Sequence, residues 1–198
     1  MMLVERTRRV VRFTPLGLAI AQKAHRVLRE AEELAALAAG AAQPLAGRLR
    51  MSVIPTIAPF LLPAVLPALR RERPALQLFL REETSAQACD SLHHGQVDCV
   101  LLALPYACGD VDNAVLFDDP LLVAFPGDYP GDLPPVVSAD MLDPAQLLML
   151  EDGHCLKDHA LAACNRPDLR SGAQMMGTSL HTLVQMVDNG LGVTMLPQ

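Results

Sequence analysis

The run Leu150-Glu151-Asp152-Gly153-His154-Cys155-Leu156-Lys157-Asp158-His159, with Cys164 nine residues beyond Cys155, concentrates reactive side chains in this 198-residue sequence. Asp152 or Gly153 can cap a helix that starts here. Cys155 then falls in the first turn, where unpaired N–H groups and the positive end of the dipole favour a thiolate. A protonated His154, and Lys157, would add to that effect. A thiolate attacks peroxide to give a sulfenic acid, and a second thiol condenses with it. If the segment between the two cysteines is helical, 1.5 Å and 100° per residue separate them by roughly 13 Å along the axis and about 180° around it. A disulfide needs Cα atoms roughly 4.4 to 6.8 Å apart. Bond formation would therefore unwind the helix, so that oxidation and refolding become one event.

On a helical wheel Leu156, Ala160, Ala163 and Cys164 share one half and Cys155 lies opposite Cys164, which places Cys164 against a core. Two other readings of the same residues stay open. Cys155 and His159 stand at i and i+4 and could belong to a zinc site with Cys164, although Cys164 points away and no second ligand cluster exists. The thiols could also be two ordinary cysteines. Five cysteines at irregular spacing argue against a structural disulfide framework. Cys99, inside Val97-Asp98-Cys99-Val100-Leu101-Leu102, has the pattern of a small core residue. Cys89 and Cys108 carry no motif and are expected to be inert.

The elements that must position this chemistry follow from the rest of the pattern. Thr14-Pro15 is a helix start, a hydroxyl cap followed by proline at the first helical position, and no breaker follows until Gly40. Ile20, Ala24, Val27, Ala31, Leu34 and Ala38 recur at spacings of four and three, a coiled-coil seam suited to self-association; the alternative is a helix lying on its own core. After Ala41-Ala42-Gln43-Pro44, short strands alternate with helices: strand 49–54, helix 59–71, strand 75–80, helix 86–94 and strand 97–104. This texture predicts a parallel α/β sheet. A loop-rich stretch, 106–119, leads to strand 121–125 and a second lobe with strand 147–150, the cysteine helix, strand 173–177, helix 179–189 and strand 192–196. Two such lobes form a cleft, and ligands of open α/β sheets bind at the carboxyl ends of strands. Thr56 follows the first strand and Thr84-Ser85 the next, so both present hydroxyls to one edge; helix capping is the other role open to each.

The net charge of −6 conceals an asymmetry. Residues 1–30 hold seven Lys/Arg against Glu5 and Glu30, a local +5, which leaves −11 for the remainder. A basic N-terminal part on an acidic body suits contact with a polyanion. The sequence opens without an apolar signal-like region, and no apolar run approaches the ~18 residues of a spanning helix. Neither export nor membrane insertion is expected, and the expected compartment is the cytoplasm.

The cysteine stretch, Glu5-Arg6-Thr7 through Phe13-Thr14-Pro15-Leu16-Gly17, Ile54-Pro55-Thr56, Leu61-Leu62-Pro63, Asp98-Cys99-Val100, Thr178-Ser179-Leu180 and Gly192-Val193-Thr194-Met195-Leu196-Pro197 together resemble the peroxide-sensing members of the LysR-type transcriptional regulators. The resemblance implies an α/β fold: a two-lobed, periplasmic-binding-protein-like effector domain preceded by a long linker helix. It divides the chain into 1–13, the wing of a winged helix-turn-helix; 14–42, the linker and dimerisation helix; 43–118, effector lobe I, incomplete; and 119–198, effector lobe II with the redox cysteines. It implies Cys155 as the peroxide-reactive cysteine, Cys164 as its resolving partner, and Thr56, Ser85, His154 and Asp158 as the peroxide-binding surroundings. Ser85 stands where the family has threonine, and Lys157 where it usually has arginine, which keeps the charge and loses the planar fork.

The resemblance further implies a homodimer or homotetramer joined through the linker helix and effector domain, promoter DNA as partner of the complete protein, and RNA polymerase as a further partner. The recognition helix and the end of lobe I are expected to lie outside these 198 residues. Only phosphate contacts from Arg6, Arg8, Arg9 and Arg12 would then be available to this stretch. No catalytic turnover, cofactor or metal is implied. Two competing functions share parts of this pattern. A thiol peroxidase also needs a reactive and a resolving cysteine, but has no use for a basic arm and a coiled-coil helix. A LysR-type effector domain that binds a small organic inducer would leave the cysteines incidental.

Overall fold

The computed structural model describes residues 2–6, 11–38, 46–130, 133, 135–138, 141–164 and 175–198. The N-terminal residues form an antiparallel pair, β1 (Val4–Arg6) and β2 (Val11–Phe13), in which Glu5 faces Arg12. Helix α1 (Pro15–Ala38) follows at once. Thr14 caps it, its Oγ1 accepting the Gly17 N–H at 3.0 Å. Gly17 is required by the close approach of the hairpin, since a Cβ there would collide with the Leu3 carbonyl. The predicted seam lies open on this helix, with Val27 67% and Leu34 69% exposed.

The first lobe is a parallel sheet in the order β4-β3-β5, with β3 (Gly47–Val53) at its centre, β4 (Leu76–Glu82) on one side and β5 (Cys99–Leu101) on the other. Helices α2 (Ala58–Glu72) and α3 (Ser85–His93) make the two crossovers, which completes the βαβαβ unit expected from the alternation of strand and helix patterns. Val53, Ile54, Ala88 and Val97 form its buried centre. Arg50 fixes the β3–β5 register: its N–H donates to Asp98 Oδ2 at 2.8 Å, and its Nη2 to Asp98 Oδ1 at 2.9 Å. Burial raises the Asp98 carboxyl, but the hydrogen bonds from Arg50 outweigh it and leave the group below the usual carboxylate range.

Strand β5 is shorter than the 97–104 expected. The Val97 N–H bonds back to the Ser91 carbonyl at 3.3 Å and Asp98 serves Arg50, so the ladder starts only at Cys99. It ends near Leu101, whose carbonyl accepts from Ile54, ahead of Pro105, which has no N–H to give.

In the second lobe β6 (Leu121–Ala124) pairs antiparallel with β9 (Thr194–Pro197), and β7 (Leu148–Leu150) pairs parallel with β8 (Met175–Gly177). A bridge between Leu147 and Val193 links the two pairs. All three β7 residues are buried, as its unbroken apolar pattern requires. Leu147, Met149, Val193 and Met195 face one cluster with Ala160 and Leu161. Leu148 and Leu150 face another with Leu156, Leu183 and Val187. Helix α4 (Cys155–Cys164) therefore contributes to both clusters, while α5 (Leu180–Asp188), capped by Ser179, closes the second. Residues 173–174 of the predicted strand 173–177 lie outside the described residues.

Candidate functional site

Helix α4 starts at Cys155 and runs to Cys164, as the pattern predicted. Before it, Gly153 adopts φ +102°, the left-handed turn that glycine tolerates and that lets β7 lead into the helix. Lys157 is buried and its Nζ donates to Asp152 Oδ1 at 2.7 Å, tying the first turn to the loop that precedes it. Cys155 is free of any disulfide and only 4% exposed. This corrects the wheel: the buried face runs through Cys155, Leu156, Lys157, Ala160 and Leu161, whereas Ala163 is exposed. A wheel of the helix alone cannot register what packs over its first turn. The Cys164 side chain, and with it the expectation of its burial, lies outside the described residues. Beneath α4, between Leu156, Lys157 and the β7 layer, a void of about 10 Å³ remains, room for at most one water molecule.

Three contacts bring the lobes together here. A Cβ on Gly153 would lie 3.9 Å from the Thr84 methyl group, so the loop before Cys155 abuts the start of α3. His159 Nε2 donates to the Pro105 carbonyl at 2.9 Å. Phe60 on α2 stacks on His181 of α5, with centroids 5.3 Å apart. Neither His159 with Pro105 nor Phe60 with His181 was found from the sequence, because each pairs residues from different lobes and no spacing rule links them.

The three candidate hydroxyls take different positions at the strand edge. Thr84 caps α3: Gln87 Oε1 accepts from its N–H at 3.2 Å and from its Oγ1 at 3.1 Å. Ser85, 1% exposed, leaves its Oγ without a hydrogen-bond partner. An unpaired buried hydroxyl is unfavourable by about 1–3 kcal/mol, so it marks a place suited to a small polar guest. Thr56 lies buried where β3 leads into α2. His154 is half-buried, and that burial pushes its imidazole below the ordinary value, with Glu151 opposing. A neutral His154 withdraws the positive charge that the sequence offered as support for a Cys155 thiolate. Asp158 stands exposed in the first turn of α4. Arg6 and Arg12 are exposed on the β1–β2 pair; Arg8 and Arg9 lie outside the described residues. Among the described residues no three His, Cys, Asp or Glu side chains are grouped to hold a metal ion, which leaves the zinc reading without support there.

The expectation that no structural disulfide exists is overturned at Cys89 and Cys108. These two are joined, with Cα atoms 5.4 Å apart. Cys89 faces inward from the middle of α3, and the segment after β5 folds back against that face. The partners are brought together by the crossover's path, which is why their sequence spacing gave no sign. Cys99 is half-buried on β5 and free, and burial raises its thiol.

A parallel βαβαβ lobe is followed by a second lobe of mixed strand pairs, and residues 42–198 match the LysR substrate binding domain family. The chain belongs to that family. Within it the chain is a relative of the OxyR proteins, matching the DNA-binding transcriptional dual regulator OxyR of Escherichia coli K12 at 39% identity over 196 residues, 99% of this chain and 64% of that protein. The OxyR2 regulatory domain of Vibrio vulnificus, in an E-to-G variant, superposes with a TM-score of 0.71 at 39% identity, covering 78% of this chain and 74% of that one. The HTH-type transcriptional regulator EstR of Acinetobacter baylyi is 38% identical over the same length, 99% of this chain and 65% of that protein. The chain thus spans just under two thirds of the curated relatives it matches. Among the described residues no helix is long and apolar enough to cross a membrane.

Proposed function

We propose that the chain is the sensing part of a peroxide-responsive LysR-type transcription regulator, acting in the cytoplasm and without catalytic turnover. Overall identity does not decide this, since EstR matches about as well as OxyR. The observation that carries it is the placement of Cys155: a free, buried thiol at the first residue of α4, with Cys164 at the far end of the same ten-residue helix. In this reading Cys155 attacks peroxide, and Thr56, Ser85, His154 and Asp158 form the surrounding polar site. The orphan Ser85 Oγ supports a small hydroxylic guest there. The resolving thiol is Cys164. Nine residues of helix separate the two by roughly 13 Å, so the bond between them forms only as α4 unwinds.

The output follows from the other elements. Residues 1–13, with Arg6 and Arg12 exposed and Arg8 and Arg9 between them, contribute phosphate contacts to the DNA-binding head of the complete protein. Residues 14–42 join chains into a homodimer or homotetramer through the open α1 seam, and lobes 43–118 and 119–198 pass the change in α4 to that assembly and to RNA polymerase at the promoter. The test is stoichiometric hydrogen peroxide followed by peptide mapping. The reading expects a Cys155–Cys164 crosslink that Cys155→Ser abolishes; both thiols still reduced after treatment would refute it.

A further inference from the structure

The Cys89–Cys108 bond lies where it reaches the candidate site from the opposite lobe. Ser85, Cys89 and His93 recur every four residues and so share one face of α3. At one end of that face is the unpartnered Ser85 Oγ. At its middle is the disulfide, and at the other end His93 Nε2 donates to the Cys108 carbonyl at 2.7 Å. Gly109, at φ +75°, makes this approach possible, since a Cβ there would lie 2.8 Å from His93 Nε2. The same short segment, three residues earlier, offers the Pro105 carbonyl to His159 of α4. Residues 105–108 are therefore a strap, held to α3 at one end by a covalent bond and touching the redox helix at the other.

We propose that Cys89 and Cys108 are a second, reversible redox site, a dithiol that takes hydrogen peroxide as oxidant and a small dithiol as reductant, and that its closed form sets the reactivity of Cys155 through the strap. On closure one thiolate attacks peroxide, the O–O bond breaks, and a sulfenic acid and hydroxide result, the hydroxide taking up the proton that the thiol released on ionising. The second thiolate then displaces hydroxide from sulfur. Two protons and two electrons leave the thiols, and two waters are formed in all. On opening, an external dithiol is oxidised to its own disulfide and both cysteines regain their protons. With the bond open, Cys108 keeps the His93 hydrogen bond but loses its covalent tie to α3, and the Pro105 carbonyl under His159 loses its fixed position.

The coupling to Cys155 rests on the peroxide-sensing reading above, whereas the chemistry of the second pair does not, and two experiments on the full chain separate them. In Cys155→Ser/Cys164→Ser protein, reduction with dithiothreitol, desalting and hydrogen peroxide should regenerate a Cys89–Cys108 crosslinked peptide, which dithiothreitol opens again without denaturant. Two thiols that stay alkylatable after peroxide, or a bond that opens only in the unfolded chain, would overturn the proposal. In protein that retains Cys155 and Cys164, Cys89→Ala and, separately, Cys108→Ala should change the rate of Cys155 alkylation by roughly threefold or more. The unsubstituted chain before and after dithiothreitol provides the same comparison if either variant fails to fold. An unchanged Cys155 rate across this pair would overturn the coupling. Failure of the sensing reading appears elsewhere, as absence of a Cys155–Cys164 bond in the unsubstituted chain.

Discussion

At the scale of single residues, the candidate site holds one buried hydroxyl that lacks a hydrogen-bond partner. Ser85 Oγ is buried without one, so Ser85→Ala should leave stability unchanged or raise it by up to about 1 kcal/mol, because it removes an unsatisfied hydroxyl. The same change should slow oxidation of Cys155 by peroxide. Chemical denaturation and a stopped-flow oxidation assay on one preparation check both halves, and a variant that loses stability while keeping its rate would contradict the assignment. His154 gives a pH signature. Burial lowers its folded-state value below the unfolded ~6.5. Its contribution to stability is therefore complete above about pH 6.5 and is lost as pH falls through that value toward the folded one. Titrating melting temperature between pH 7.5 and 5 in the parent and in His154→Gln should show a steeper acid slope in the parent. Asp98 acts lower on the scale: held down by Arg50, it stabilises above the usual carboxylate range and loses that contribution as pH falls through its depressed value.

At the scale of elements, α4 is a helix whose two ends carry the groups that must meet. Its amides should show native hydrogen-exchange protection in the reduced protein and lose it after peroxide, while β7 beneath it stays protected. The Cys89–Cys108 loop spans 19 residues, and a crosslink of that length contributes roughly 3 kcal/mol by the chain-entropy account. Reduction should therefore lower the melting temperature of the first lobe's transition. Elements were also what the sequence disclosed best. The βαβαβ half and α4 appeared because strand and helix periods show directly in the apolar pattern, and the limits of α2, α3 and β4 moved by only one or two residues. The Cys89–Cys108 bond, the burial of Cys155 and the His159–Pro105 contact stayed hidden. The bond depends on a crossover's path and the contact on one lobe meeting another, and local periodicity records neither. The burial of Cys155 is the instructive case, since its own helix, taken alone, turns that side chain away from the predicted core face.

At the scale of the whole molecule, α1 presents Val27 and Leu34 largely exposed and Ile20 partly so among the described residues, while a basic hairpin lies at one end of the helix and the lobes at the other. A seam of this kind is stable in water when a second copy covers it. Val27→Glu should weaken self-association at least tenfold, about 1.4 kcal/mol or more, with the fold of the lobes retained, and sedimentation over a concentration series measures it. Peroxide sensing by this chain requires that peroxide drive the two ends of α4 together. Peptide mapping after one equivalent of hydrogen peroxide tests this directly: a Cys155–Cys164 crosslink, absent in Cys155→Ser, is expected, and recovery of both cysteines as free thiols would contradict it.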